Sequence, residues 1–187
     1  VSNMVEQLMI STKSSDIDIT NLTLDTLKIQ SISGDIDFDC STCEDTMIST
    51  TSGDIDLRRV NGSFMISTTS GDVEAMDVQA EQFTVQSTSG DIDFEGSCDA
   101  LAIKTISGDV EITLEDTVTD ARIQTTSGDV DLNVDNEDYN ITIETMSGDV
   151  CNHTRMRAYK ESHRCIRLGD GDADIAIATL SGDITIR

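Results

Sequence analysis

Aspartate recurs along this chain at a nearly fixed interval, and the resulting row of carboxylates is the first feature that could do chemistry. Asp16, Asp35, Asp54, Asp72, Asp91, Asp109, Asp129, Asp149 and Asp183 form one series. Asp18, Asp37, Asp56, Glu74, Asp93, Glu111 and Asp131 form a second, two residues further on. Evenly spaced carboxylates suit Ca²⁺, because a hard cation takes several oxygen ligands. The same row can instead be a solvated turn ladder that keeps a sheet edge soluble and blocks aggregation. The ladder reading is carried forward, and the Gly-Gly-x-Gly-x-Asp repeat of calcium-binding solenoids is absent. Like charges at this spacing repel, so hydrogen bonds, water, counter-ions or raised pKa values must relieve them.

A second chemical group sits near the C-terminus, where Cys151-Asn-His153 is mirrored by His163-Arg-Cys165. An antiparallel hairpin would set Cys151 against Cys165, His153 against His163 and Arg155 against Glu161, all on one side by the period of two. Three outcomes stay open. The four residues can hold zinc as a Cys₂His₂ site. The cysteines can close a loop of about 15 residues with a disulfide, worth about 3 kcal/mol in the chain-entropy model. Or the segment is a solvated loop with neither bond. Arg155, Arg157, Lys160, Arg164 and Arg167 make this stretch basic in a chain of net charge -24, a surface for an anionic partner or for the protein's own acid stripe. Cys40-Ser-Thr-Cys43 has redox spacing but opens no helix, so a local disulfide or two inert thiols is expected rather than catalysis. Cys98 lies too far along to bridge to that pair. With five cysteines, an odd number, at least one thiol stays free or pairs elsewhere.

The elements that position these groups are repeats. Eight copies of Ser-Gly-Asp, at Gly34, Gly53, Gly71, Gly90, Gly108, Gly128, Gly148 and Gly182, follow a degenerate Ser14-Ser15-Asp16. The steps are 19, 19, 18, 19, 18, 20, 20 and finally 34 residues. A period near 19 is one turn of a solenoid. Five residues before the central position stand Ile10, Ile29, Ile48, Ile66, Val85, Ile103, Ile123, Ile143 and Ile177, all β-branched. Two residues later a Ser or Thr falls on the same inward side, and two after the glycine an Ile or Val does so again. Each coil therefore reads as two short strands hinged at Ser-Gly-Asp, with Ile/Val and hydroxyl columns inside and Asp outside. The glycine supplies the positive φ of the corner, and an inward hydroxyl can bond to its neighbours or to backbone.

Composition bounds the rest. The chain has no Pro and no Trp, and its six aromatics are four Phe and two Tyr. About nine coils of 18–20 residues make a single solenoid domain over 1–187, with an insertion at about 151–169 before the last coil. No apolar run is long enough to span a bilayer, and Val1 to Ile10 lacks signal-peptide character.

The Ser-Gly-Asp-Ile/Val turn and the closing segment from Leu168 to Arg187 resemble a bacterial adhesin-like family of domains of unknown function, over essentially the whole chain. That resemblance implies an all-β, single-stranded, right-handed parallel β-helix in secreted, surface-anchored or membrane-associated proteins. It assigns no catalytic residue and no cofactor.

Three functional classes follow. A structural or interaction module at the cell envelope, meeting a protein or glycan partner, fits uniform repeats with no converging site. A polysaccharide-active enzyme is the alternative suggested by fold alone; it would need acid and base groups in contrasting environments, and the ladders are uniform. An ice-binding face would use the outward column Thr51, Thr69, Thr88 and Thr126, which Ile32, Ile106, Met146 and Leu180 interrupt. The expectation is a non-enzymatic, extracellular or envelope module, with Ca²⁺ or Zn²⁺ as open questions. Nucleic acid is not expected as a partner, because the acid face repels phosphate.

Overall fold

The computed structural model describes residues 6–115, 118–134, 139–160, 165–169, 171 and 173–187. Among them there is no helix, and every strand belongs to one sheet of sixteen. The first three strands are β1 (Gln7–Ser11), β2 (Ile17–Thr20) and β3 (Thr23–Gln30). Four long strands follow: β4 (Ile36–Ser49), β5 (Ile55–Ser67), β6 (Val73–Gln86) and β7 (Ile92–Lys104). Then come β8 (Val110–Leu114), β9 (Asp120–Ser127), β10 (Val130–Val134), β11 (Tyr139–Ser147) and β12 (Val150–Asn152). The chain ends with β13 (Ala158–Lys160), β14 (Cys165–Leu168), β15 (Ala173–Ser181) and β16 (Ile184–Ile186).

Equivalent residues stack in register as parallel strands. Ile10 pairs with Ile29, Ile29 with Ile48, and Ile48 with Ile66, while Ile36 pairs with Ile55 and Ile55 with Val73. The two aliphatic columns are buried along most of their length, and all four phenylalanines join them. Phe38, Phe64, Phe83 and Phe94 form a zigzag with ring centroids 6.4, 5.8 and 4.7 Å apart. The inward hydroxyl column is equally real: Thr50, Thr68, Thr105 and Thr125 are all buried.

The chain forms a β-solenoid of about seven turns wound in sequence order, fewer than the nine coils expected. The eighth and ninth repeats do not stack in turn. The last coil slips between its predecessors: β15 lies between β9 and β11, and β16 between β10 and β12. The long final step in the repeat spacing has its cause here, since the chain must travel back one coil before the last repeat can enter.

The residues that make this return cap the rod. β14 runs antiparallel to β11, and β13 antiparallel to β14, so the terminal edge is covered by a hairpin of opposite direction. Met156 and Leu168 are buried beneath it. The insertion therefore begins after Asn152, because β12 is still a regular strand paired with β16.

Coils in the central part also hold a third run that the two-strand reading did not contain. Past a second corner, Ser41, Val60 and Val78 stack, and beside them Cys43, Gly62, Ala80 and Cys98. The second corner is made by Asn21, Cys40, Arg59 and Asp77 at φ of 50–54°. These four share no residue type, so no sequence signature marked the bend.

Candidate functional site

Nine corner aspartates form one hydrogen-bonded chain. The backbone N–H of Asp35 donates to Oδ1 of Asp16 at 3.1 Å, and that of Asp54 to Asp35 at 3.0 Å. The pattern repeats through Asp72, Asp91, Asp109 and Asp129. It then passes to Asp183 and ends at Asp149, following the spatial order of the coils. Each carboxylate but the terminal one of Asp149 thus serves the N–H of the next coil rather than that of its own corner.

Among the described residues the second acid series has no such backbone donor in its row, and its chemistry differs. Burial, then hydrogen bonding to the Asp18 and Asp56 carboxyls and their charge, raises the pKa of Asp37. Burial also raises Asp93, helped by the charge of Glu111, Asp91, Glu74 and Asp72. At the far edge of this side Arg59 lies 2.6 Å from Asp39 and holds its carboxyl below the usual range.

The mirrored Cys/His register is not the one the strands adopt. Cys151 pairs with Thr185 in a parallel ladder, and the backbone of Cys165 stands opposite Glu144 in β11. The reason is the cap: β14 turns back onto β11, not onto β12. Cys151 is a free, exposed thiol, and His153 is exposed. His163 lies outside the described residues, as do the side chain of Cys165 and residues Glu161 and Arg164. Of the basic residues, Arg155 and Arg157 are exposed and Arg167 sits half-buried opposite Thr142. Among the described residues no group of three His, Cys, Asp or Glu is arranged to hold a metal ion. Cys40 and Cys43 are both free, one exposed at a corner and the other buried. Burial, with a smaller contribution from Asp99, pushes the Cys98 thiol up to about 12, which keeps it protonated and unreactive at neutral pH.

A surface that the charge count alone did not reveal lies on the other side of the Ser-Gly-Asp corner. The strands preceding that corner turn four columns of side chains outward, aligned by the register. Their charges are Asp45, Asp120, Asp174 and Glu144 against Lys13, Lys28, Lys104 and Arg122, which cancel. Among the described residues, every exposed large hydrophobic also stands here: Met9, Ile32, Met47, Met65, Ile106, Met146 and Leu180. Toward the capped end the face dips into a shallow trough of about 460 Å³ between Lys104, Gln124, Glu144 and Leu180. Outward Met, Thr and Ala were visible in the repeats; the signal that mattered was net charge summed per face instead of per chain.

Fold and surface together define a β-solenoid domain with one acidic side and one flat neutral side. The chain belongs to the Toastrack DUF4097 family of domains of unknown function, whose model matches residues 2–94 and again 62–187. The adhesin label of the earlier resemblance is not part of that match. No curated protein and no solved structure matches the chain.

Proposed function

We propose that this domain is a non-catalytic interaction module at the cell envelope, adhesin-like in that it works by contact. The observation carrying this reading is the segregation of its surface: exposed hydrophobics and balanced charge on one flat face, and stacked carboxylates beyond the corner. Exposed large apolar side chains gathered on one face mark a place where another molecule sits, and methionine, four of the seven here, is enriched in interfaces. The acid ladder fits a supporting role, because its corner carboxylates are already engaged in holding one coil to the next.

A photo-crosslinking amino acid at Met47 in intact cells making the full-length protein tests the contact. Crosslinks at that position, and none at Asn133 on the acidic side, are expected; silence at Met47 sinks the interaction reading. A membrane-impermeant thiol reagent should label the exposed Cys40 and Cys151, which lie off the flat face, in unbroken cells. Labelling seen only after lysis would remove the envelope from the proposal.

A further inference from the structure

We infer that the occupant of the flat face is a second copy of this chain, an inference that rests on the interaction reading above. The first ground is charge. A body of net charge -24 repels its own copy from most directions, and an approach that avoids this is through the flat face, whose outward charges cancel among the described residues. Packed that way, the two corner ladders lie along opposite long edges of the contact, where salt screens the repulsion that remains at the rim.

The second ground is symmetry. A two-fold axis along the rod lays the column holding Asp45, Asp120 and Asp174 over the column of Thr51, Thr126 and Leu180, where no acid stands. The same axis lays Met47 and Met65 over the small Ser49 and Ser67, and Arg122 over Gln124. Within these four columns no acid meets an acid and no base meets a base, so the face is complementary to itself, as an isologous contact requires.

The third ground is size. Nine strands about 4.8 Å apart, each presenting about 20 Å of length, give a projected area of roughly 800 Å². That is about what each partner buries in a standard, stable interface, roughly 800 Å².

Sedimentation equilibrium of the purified chain, from low micromolar to submillimolar, tests the inference. A monomer–dimer equilibrium that tightens as NaCl rises is expected, because salt screens the residual repulsion while leaving the apolar contact intact. The double variant Met47→Glu/Met65→Glu should weaken the dimer by roughly a hundredfold or more, since two-fold symmetry buries each new carboxylate twice. Ala102→Arg, at another exposed position of the face, should weaken it as well, and thermal melts confirm that each variant folds. Asn133→Glu, on the acidic side, should leave it unchanged. A monomer at every concentration and salt overturns the inference, as does a dimer indifferent to the face variants. If the purified chain is monomeric while Met47 still crosslinks in cells to a species of other mass, the second copy is wrong and the interaction reading stands.

Discussion

A buried hydroxyl in this protein is tolerated for different reasons at the two ends of the rod. Thr50 donates to the carbonyl of Ser52 at 2.9 Å, and Ser31, Thr68 and Ser87 repeat that bond within their own coils. By Thr105 the distance has stretched to 3.4 Å, and Thr125 and Thr179 have no hydrogen-bond partner among the described residues. The cause is backbone: β9 and β15 run on through Ser127 and Ser181, so the carbonyl two residues ahead no longer turns back. Thr50→Val should therefore cost about 1 kcal/mol, the net worth of one bond. Thr125→Val should be neutral or stabilising, since it removes an unpaired buried polar atom. Urea melts of the two variants check this, and equal losses would mean Thr125 is satisfied after all. Gly62 makes the reverse point about space. Its φ is 132°, and an added Cβ would collide with the carbonyl oxygen of Cys43 in the coil below. Gly62→Ala should cost about 3 kcal/mol or more, through strained φ and a displaced neighbour together; a loss below about 1 kcal/mol in the same melts would show that the stack relaxes freely.

At the scale of elements, what could be read in advance was whatever repeats. The Ile, hydroxyl and Asp columns follow from the period near 19 and the alternation of strands, and they stand where the sequence places them. Spatial order could not be read. β15 offers Ile177 and Thr179 to its neighbours just as β11 offers Ile143 and Thr145, so either coil can seat on β9 with the same pairing. Register is specified by the columns; sequence of stacking is specified only by how far the connecting chain can reach. The hairpin register of Cys151 and Cys165 failed for the same reason, because mirrored spacing cannot tell which strand β14 will choose. Intercalation has an energetic consequence. Ile177 is packed between Ile123 and Ile143 and is 1% exposed, although it stands ten residues from the last. Ile177→Ala should cost about 2–5 kcal/mol, as should Ile103→Ala in mid-rod. Ile10→Ala, on the partly covered first strand, should cost less than half as much. Guanidinium melts giving Ile177→Ala the small value would place the last coil at an end and contradict the topology.

Across the whole molecule the sheet is held against its own charge. Corner carboxylates accept backbone N–H groups, whereas the second series meets arginine at Asp56, Glu74 and Asp131 and other carboxyls around Asp37 and Asp93, whose pKa values are raised, chiefly by burial and then by those neighbours. A carboxyl whose folded pKa exceeds its unfolded value, here 3.8, binds protons more tightly when folded. Its ionised form opposes folding above the folded pKa, and stability is regained as pH falls through that value toward the unfolded one. Asp39 works oppositely: held low by Arg59, its contribution persists above the unfolded pKa and is lost only under stronger acid. The thermal midpoint should thus rise as pH is lowered from neutral toward the raised pKa values of Asp37 and Asp93, and fall again below 3.8 as Asp39 loses its pairing with Arg59. Asp37→Asn should raise the midpoint at neutral pH and flatten that rise, because the amide keeps hydrogen bonds to Asp18 and Asp56 without the charge. Added NaCl should stabilise the neutral-pH protein for the same reason, by screening the stacked acids. Calcium is the discriminating additive. If the ladders are structural, Ca²⁺ should move the midpoint no further than Mg²⁺ at equal ionic strength. A saturable shift at micromolar Ca²⁺ would mean that the carboxylates converge on an ion, and the second acid series, which lacks the corner's backbone donors, is where that ion would have to sit.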